Sequence, residues 1–220
     1  MDTSRSSQGR RLSATDALIH SVDQGLRTLA GCPATTGRLD PDDGIPDSAL
    51  GDHERGVSAG LMRVNHAGEV CAQALYQGQA LTARGSDVRG KLEQAAREEN
   101  DHLAWCARRV AELGGHTSYL SPLWYAGSLA VGALAGLAGD RFSLGFLAET
   151  EHQVMAHLDG HLERLPEADA RSRALLRQMK EDEGHHATVA LESGGGPLPE
   201  PVRRLMAAVS RVMTTVAYRL

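Results

Sequence analysis

The chain has 220 residues, a formal net charge of −5, and 41% hydrophobic but only 4% aromatic residues. That length allows one domain with a sizeable core, and the acidic balance gives no reason to expect nucleic-acid binding. Cys32, Cys71 and Cys106 are scattered and form no C-x-x-C pair, which argues against a disulfide framework or a zinc site and fits a reducing compartment.

Residues 1–11 are polar, rich in Ser and Arg, and lack the apolar run of a secretory signal. They read as a tail. A helix is expected over 15–30, closed by Gly31. Residues 31–56 read as a linker, with Pro33, Pro41 and Pro46 and the acids Asp40, Asp42, Asp43, Asp47, Asp52 and Glu54. Such an acidic run is expected to be solvated.

Four longer helices follow. The first spans 57–84 and stops before the turn Gly85-Ser86-Asp87. The second spans 88–113 and stops at Gly114-Gly115; the third spans 141–165, before Pro166; the fourth spans 168–192 and ends in Gly194-Gly195-Gly196. Lengths of about 25 residues suit an antiparallel bundle. The chain thus divides into a tail, short helix and acidic linker over 1–56 and a helical domain over 57–220.

Two further segments exceed what a bundle needs. Residues 117–139 carry no charge and could span a bilayer by length alone, but glycines and serines dilute their hydrophobicity. Trp124 and Tyr125 suit a membrane interface. Ser128, Gly132 and Gly136 recur every four residues, a spacing that permits close helix contact. A lipid-facing segment and a buried crossover helix both fit. Residues 202–220 place Val202, Leu205, Met206, Val209, Val212, Met213, Val216 and Leu220 on one helical stripe, with Arg203, Arg204, Arg211 and Arg219 off or beside it. That pattern suits an anionic membrane surface or docking onto the bundle.

The chemistry lies on the four long helices. Glu99 and His102 are three apart and share a helical face, as do Glu183 and His186. A lone glutamate stands on the preceding helix in each case, Glu69 before the first pair and Glu151 before the second. The intervals, 30 residues from Glu69 to Glu99 and 32 from Glu151 to Glu183, suggest one helix hairpin used twice. Four helices carrying this set build the di-iron carboxylate site of ferritin-like bundles. Glu149 and His152 compete for the third position. Glu151 shares its stripe with Leu144, Leu147, Val154, Met155 and Leu158, whereas Glu149 sits among His152 and Gln153, so Glu151 is preferred. Glu69 has the more polar flank: Asn65, His66, Gln73 and Tyr76. Buried carboxylates are rarely tolerated unless paired or metal-bound.

Arg63-Val64-Asn65-His66-Ala67-Gly68-Glu69, Glu99-x-x-His102, Glu149-Thr150-Glu151-His152-Gln153 and Glu181-Asp182-Glu183-Gly184-His185-His186 together resemble the demethoxyubiquinone hydroxylases of ubiquinone biosynthesis. The resemblance covers roughly residues 57–220. It implies a di-iron monooxygenase acting on the ring of a polyprenylated 3-methyl-6-methoxy-1,4-benzoquinone or its quinol. It implies Glu69, Glu99, His102, Glu151, Glu183 and His186 as the ligands of two iron ions. It places His157 at a functionally important histidine, a candidate catalytic residue. O2 is the implied co-substrate, with NADH or another donor supplying electrons; no G-x-G-x-x-G follows a strand. The implied location is peripheral, on the cytoplasmic face of a bacterial inner membrane or the matrix face of a mitochondrial one. A homo-oligomer or a lipid-presenting partner protein is compatible with it.

Carboxylates and imidazoles suit iron. Asp101 and Asp182 are candidates for orienting ligands from behind, and Cys71 and Cys106 read as small apolar residues. The same ligands would also serve a soluble ferroxidase or a peroxide-scavenging di-iron protein. The uncharged segment and the C-terminal stripe favour a lipid substrate over that alternative. A lipid-binding protein without activity would not need the complete ligand set.

Overall fold

The computed structural model describes residues 14–220, which form seven helices and no strand. They are α1 (Ala14–Leu29), α2 (Asp52–Thr82), α3 (Ser86–Glu112), α4 (Ser121–Leu137), α5 (Asp140–Arg164), α6 (Ala170–Glu192) and α7 (Glu200–Ala217). Helices α2, α3, α5 and α6 make the four-helix bundle of a ferritin-like fold, as two hairpins, α2 with α3 and α5 with α6. Helix α2 begins at Asp52, earlier than the apolar pattern suggests, because the Glu54 carboxylate accepts the Gly51 N–H at 3.0 Å and caps the first turn. Helix α6 is capped by the reciprocal bond, the side chain of its N-cap residue Asp169 accepting from Ser172 N at 3.1 Å.

The bundle interior is layered. One apolar cluster holds Leu61 and Met62 of α2, Cys106 and Val110 of α3, Leu158 of α5, and Leu176 and Met179 of α6. A second holds Tyr76, Leu92, Ala96, Leu144, Leu147 and Ala190. On each helix the residues singled out for metal binding fall between these two layers: Glu69, Glu99 with His102, Glu151, Glu183 with His186. Apolar packing on both sides therefore fixes the polar layer between them.

The uncharged segment becomes α4, the crossover between the hairpins, packed along α2. Its four-residue spacing of small side chains is what lets the backbones approach. A Cβ on Gly132 would stand 2.3 Å from Leu75 O, and one on Gly78 would stand 2.3 Å from Leu129 O. The chain then turns directly into α5 through Gly139, whose φ of +110° is accessible to glycine without strain. Leu123, Leu134 and Leu137 on the other face of α4 are exposed.

Helix α7 lies over α2 and α5. Arg63 donates to the carbonyls of His116 at 2.7 Å and Tyr218 at 3.0 Å. Arg203 pairs with Glu149 of α5 at 3.0 Å. Leu205, Val209 and Val212 remain exposed on its apolar stripe. Among the described residues, no helix is long and apolar enough to cross a membrane.

The acidic linker differs most from expectation. Its acids are not simply solvated: Asp42 is buried, bound by Arg108 at 2.5 Å and Arg171 at 2.7 Å. Asp40 accepts from Trp105 Nε1 at 2.7 Å, and Asp47 lies 3.4 Å from the buried Arg109. Basic residues on α3 and α6 thus fasten the linker to the bundle as a strap. The tail read over residues 1–11 lies outside the described residues.

Candidate metal centre

Helical periodicity aims Glu69, Glu99, His102 and Glu183 inward, and their ligand atoms lie within 4.8 Å of one another. His102 Nδ1 stands 3.0 Å from Glu99 Oε2, 3.3 Å from Glu183 Oε1 and 3.7 Å from Glu69 Oε2. His186 joins from α6, its Nδ1 2.9 Å from Glu99 Oε1 and 3.4 Å from Glu183 Oε2. Glu151 is buried beside this group, where Glu183, Glu99 and His186 all act on its carboxyl. The Tyr76 hydroxyl donates to Glu151 Oε1. All six side chains are almost fully buried.

The electrostatics are those of an anionic cage. Burial, together with Glu183 and Glu99, pushes the Glu151 carboxyl well above the usual range. Burial likewise raises Glu69, aided by Glu99 and Glu183 against the opposing pull of His102. Burial also opposes ionisation of Glu99, but His102 and His186 outweigh it and hold that carboxyl well below the usual range. His186 is pushed up to about 12 by Glu183 and Glu99, although burial opposes its charge. Carboxylates packed this closely repel one another, a repulsion that bound cations would relieve. Glu69 Oε2 is buried with His102 Nδ1 no nearer than 3.7 Å, an arrangement that native interiors avoid unless something else satisfies the oxygen. Four carboxylates with two imidazoles, and an unsatisfied carboxylate oxygen among them, fit iron.

The outer nitrogens are held by acids that precede the glutamates in sequence. His102 Nε2 is 2.8 Å from Asp182 Oδ2, and His186 Nε2 is 2.8 Å from Glu98 Oε2. Each histidine therefore leans on the residue before the glutamate of the opposite helix. Asp182 takes up the supporting position anticipated for it, whereas Asp101 faces away, holding Thr36 and Arg38 of the strap. Glu98 and Tyr76 were not singled out from the sequence. For Glu98 a signal existed, since an acid precedes the glutamate in both motifs. The competing pair dissolves: His152 is exposed and Glu149 is engaged by Arg203.

The polar flank of Glu69 is buried rather than wet. Asn65 Oδ1 is 2.7 Å from His161 Nδ1, and Gln73 donates to Ala96 O and to Asn100 Oδ1. His66 is buried with both ring nitrogens unpartnered, and burial lowers it to about 4. His157 is half-buried, its ring parallel to that of His161 with centroids 6.5 Å apart.

A cavity of about 530 Å³ opens beside Glu69 between α2, α4, α5 and α7. Its wall is mainly apolar, including Leu75, Trp124, Phe146, Leu158, Met206 and Met213. Cys71 and His157 also line it. The Nε1 donor of Trp124 is buried without a partner.

Residues 57–217 match the model of the family described as ubiquinone biosynthesis protein COQ7. The 3-demethoxyubiquinol 3-hydroxylase of Nitrosococcus oceani is 61% identical over 96% of this chain and 99% of its own. The 3-demethoxyubiquinol 3-hydroxylases of Nitrosomonas eutropha and Cupriavidus pinatubonensis are each 59% identical, over 92% and 93% of this chain. Among solved structures, a dodecameric thioferritin, the bacterioferritin-related protein of Bacteroides fragilis, superposes with a TM-score of 0.52 at 18% identity. That superposition covers 61% of this chain and 82% of the thioferritin, and it supports the helical fold alone. The buried cluster stands within the matched span, and the chain belongs to the COQ7 family of ubiquinone biosynthesis proteins.

Proposed function

We propose that this protein is a di-iron 3-demethoxyubiquinol 3-hydroxylase, adding a hydroxyl group to the ring of a polyprenylated 3-methyl-6-methoxy-1,4-benzoquinone or its quinol. The observation that carries the reading is the adjacency of the carboxylate cluster and the apolar cavity, which meet at Glu69.

Glu69, Glu99, Glu151, Glu183, His102 and His186 are the proposed ligands. Their four carboxylate charges balance two divalent ions when both imidazoles bind as neutral ligands. Bound iron supplies the redox chemistry by which O2 gives one oxygen atom to the ring. The second oxygen leaves as water, so each turnover takes two electrons, from NADH or another donor, and two protons. The protein's own part is to bind, orient and keep dry. The cavity wall excludes water from the cluster and accepts the ring with the start of its tail. Trp124, on that wall, carries an Nε1 donor without a partner, which supports a polar contact to the ring. His157, on the same wall, is assigned to the ring's side of the cavity rather than to the metal.

The polyprenyl tail is too apolar to travel through water, since each buried CH₂ is worth about 0.8 kcal/mol. The exposed faces of α4 and α7 flank the cavity, and peripheral contact with a bilayer there would let the ring enter while the tail stays in lipid.

Two measurements test the reading. Anaerobically reconstituted protein should hold about two ferrous ions per chain and, once given O2 and a reductant, convert a demethoxy quinol to its hydroxylated product. Uptake of ferrous iron and its oxidation without any hydroxylated quinol would replace this reading with that of a ferroxidase.

A further inference from the structure

We infer that the strap ahead of the bundle supports one half of the metal centre and not the other, through Arg38 acting as a positioning residue for His102. The inference rests on the two-ion reading. It concerns residues before position 57, where the family match begins.

The hairpin repeat makes the two histidines equivalent up to a point. Each turns Nδ1 toward the carboxylates and Nε2 toward an acid on the opposite helix, at 2.8 Å in both cases. Behind those acids the likeness ends. The other oxygen of Glu98 takes a hydrogen bond from a neutral side chain, Gln94, at 3.2 Å. Asp182 Oδ2 instead lies 2.5 Å from Arg38 Nη2, while Gln178 donates to Oδ1 at 3.0 Å. Arg38 Nε is 3.1 Å from Asp101 Oδ2, so one guanidinium bridges an acid of α3 and an acid of α6. Its plane lies over the Trp105 ring at 4.6 Å, and that ring is 5.4 Å from His102. Asp101, only 2% exposed, also holds Thr36 through its backbone N at 2.8 Å and its hydroxyl at 2.5 Å. Asp40 anchors the next part of the strap on Trp105 and Arg108.

The consequence is directional. Asp182, clamped by two donors, is fixed as an acceptor for His102 Nε2–H. That holds the ring with Nδ1 turned toward Glu99 and Glu183, where a bound ion would take its lone pair. A planar guanidinium holds two carboxylates in one fixed fork, a geometry that a lysine ammonium on its flexible stem does not impose. Behind His186, Glu98 takes its side-chain hydrogen bond from Gln94, and Arg38 reaches it only through its charge and not through a hydrogen bond. The strap therefore makes two ion sites of matching ligand type unequal.

The test is anaerobic titration of the metal-free, full-length protein with ferrous iron against a chelating indicator, and with cobalt(II) for its visible spectrum. Wild type, Arg38→Ala, Arg38→Lys and Asp40→Asn are compared, with the thermal midpoint of each metal-free form. Arg38→Ala should weaken one of the two binding events by about tenfold, alter the cobalt spectrum of that ion, and leave the other event within about twofold. Arg38→Lys should fall between it and wild type, and it carries the test if the alanine variant does not fold. Asp40→Asn loosens the strap without touching Asp182 and should leave both events in place. Two unchanged binding events in Arg38→Ala, or equal weakening of both in step with Asp40→Asn, would overturn the inference. A wild-type protein that takes up no ferrous iron would overturn the two-ion reading along with it.

Discussion

The hydroxyl of Tyr76 on α2 donates a hydrogen bond to Glu151 on α5, and both side chains are almost completely buried. Burial keeps the Tyr76 phenol protonated, well above its ordinary range, so it remains a donor. Removing one partner of a buried hydrogen bond leaves the other desolvated and unsatisfied. Tyr76→Phe should therefore weaken iron retention by about tenfold while the fold is kept. Chelator competition beside circular dichroism checks this.

Glu149 and Glu151 are two residues apart and do different things. Glu151 faces the cluster, whereas Glu149 pairs with Arg203 on α7. Glu151→Ala should abolish hydroxylation and lower the iron content. Glu149→Ala should keep iron and much of the turnover, and loosen only α7. Iron analysis and turnover of both variants decide it; equal loss of iron in two folded variants would remove the distinction.

The α2–α4 crossing has no room for a side chain at Gly132, where a Cβ would meet Leu75 O at 2.3 Å. Gly132→Ala should lower stability by about 1–3 kcal/mol, the range for overpacking a tight contact. Chemical denaturation gives the number. Gly127→Ala, on the same helix with open space at its Cβ, is the control.

Burial lowers His66 and His161 to about 4 from an ordinary 6.5. A depressed histidine means the unfolded chain takes up a proton between those values while the folded chain does not. This stabilising contribution is complete above pH 6.5 and is lost as pH falls toward 4. For the more buried His66 the full loss is about 3 kcal/mol. In metal-free protein, His66→Phe should lose less stability than wild type between pH 7 and pH 4.5, as read by urea denaturation. Parallel losses in the two would show that His66 is not held neutral.

Leu205, Val209 and Val212 form an exposed apolar row on α7 beside the cavity mouth. Replacing all three with serine should reduce co-sedimentation with anionic liposomes at least about tenfold. It should also raise the KM for a long-tailed quinone more than for a short-tailed analogue. Undiminished liposome binding would move the membrane contact off this helix.

What the sequence determined by itself is what helical periodicity can carry. Spacings of three and four residues place Glu99 with His102 and Glu183 with His186 on shared faces, and the apolar neighbours of Glu151 distinguish it from Glu149. Those relations are local, so the order of residues is sufficient. The resemblance of the Arg63–Glu69 string and the paired motifs pointed to the family before any geometry was known. Tertiary structure alone decided which helix faces which. No spacing within one helix says that His102 leans on Asp182 eighty residues away, or that Tyr76 reaches Glu151. Nor does composition say where a linker's acids end up. Asp42 looks solvated in sequence because its partners, Arg108 and Arg171, are distant in the chain and meet it only when α3 and α6 pack side by side. The polar flank of Glu69 misleads for the same reason: Asn65 and Gln73 are wet on an isolated helix, and are buried only because His161 and Asn100 arrive from neighbouring helices to satisfy them.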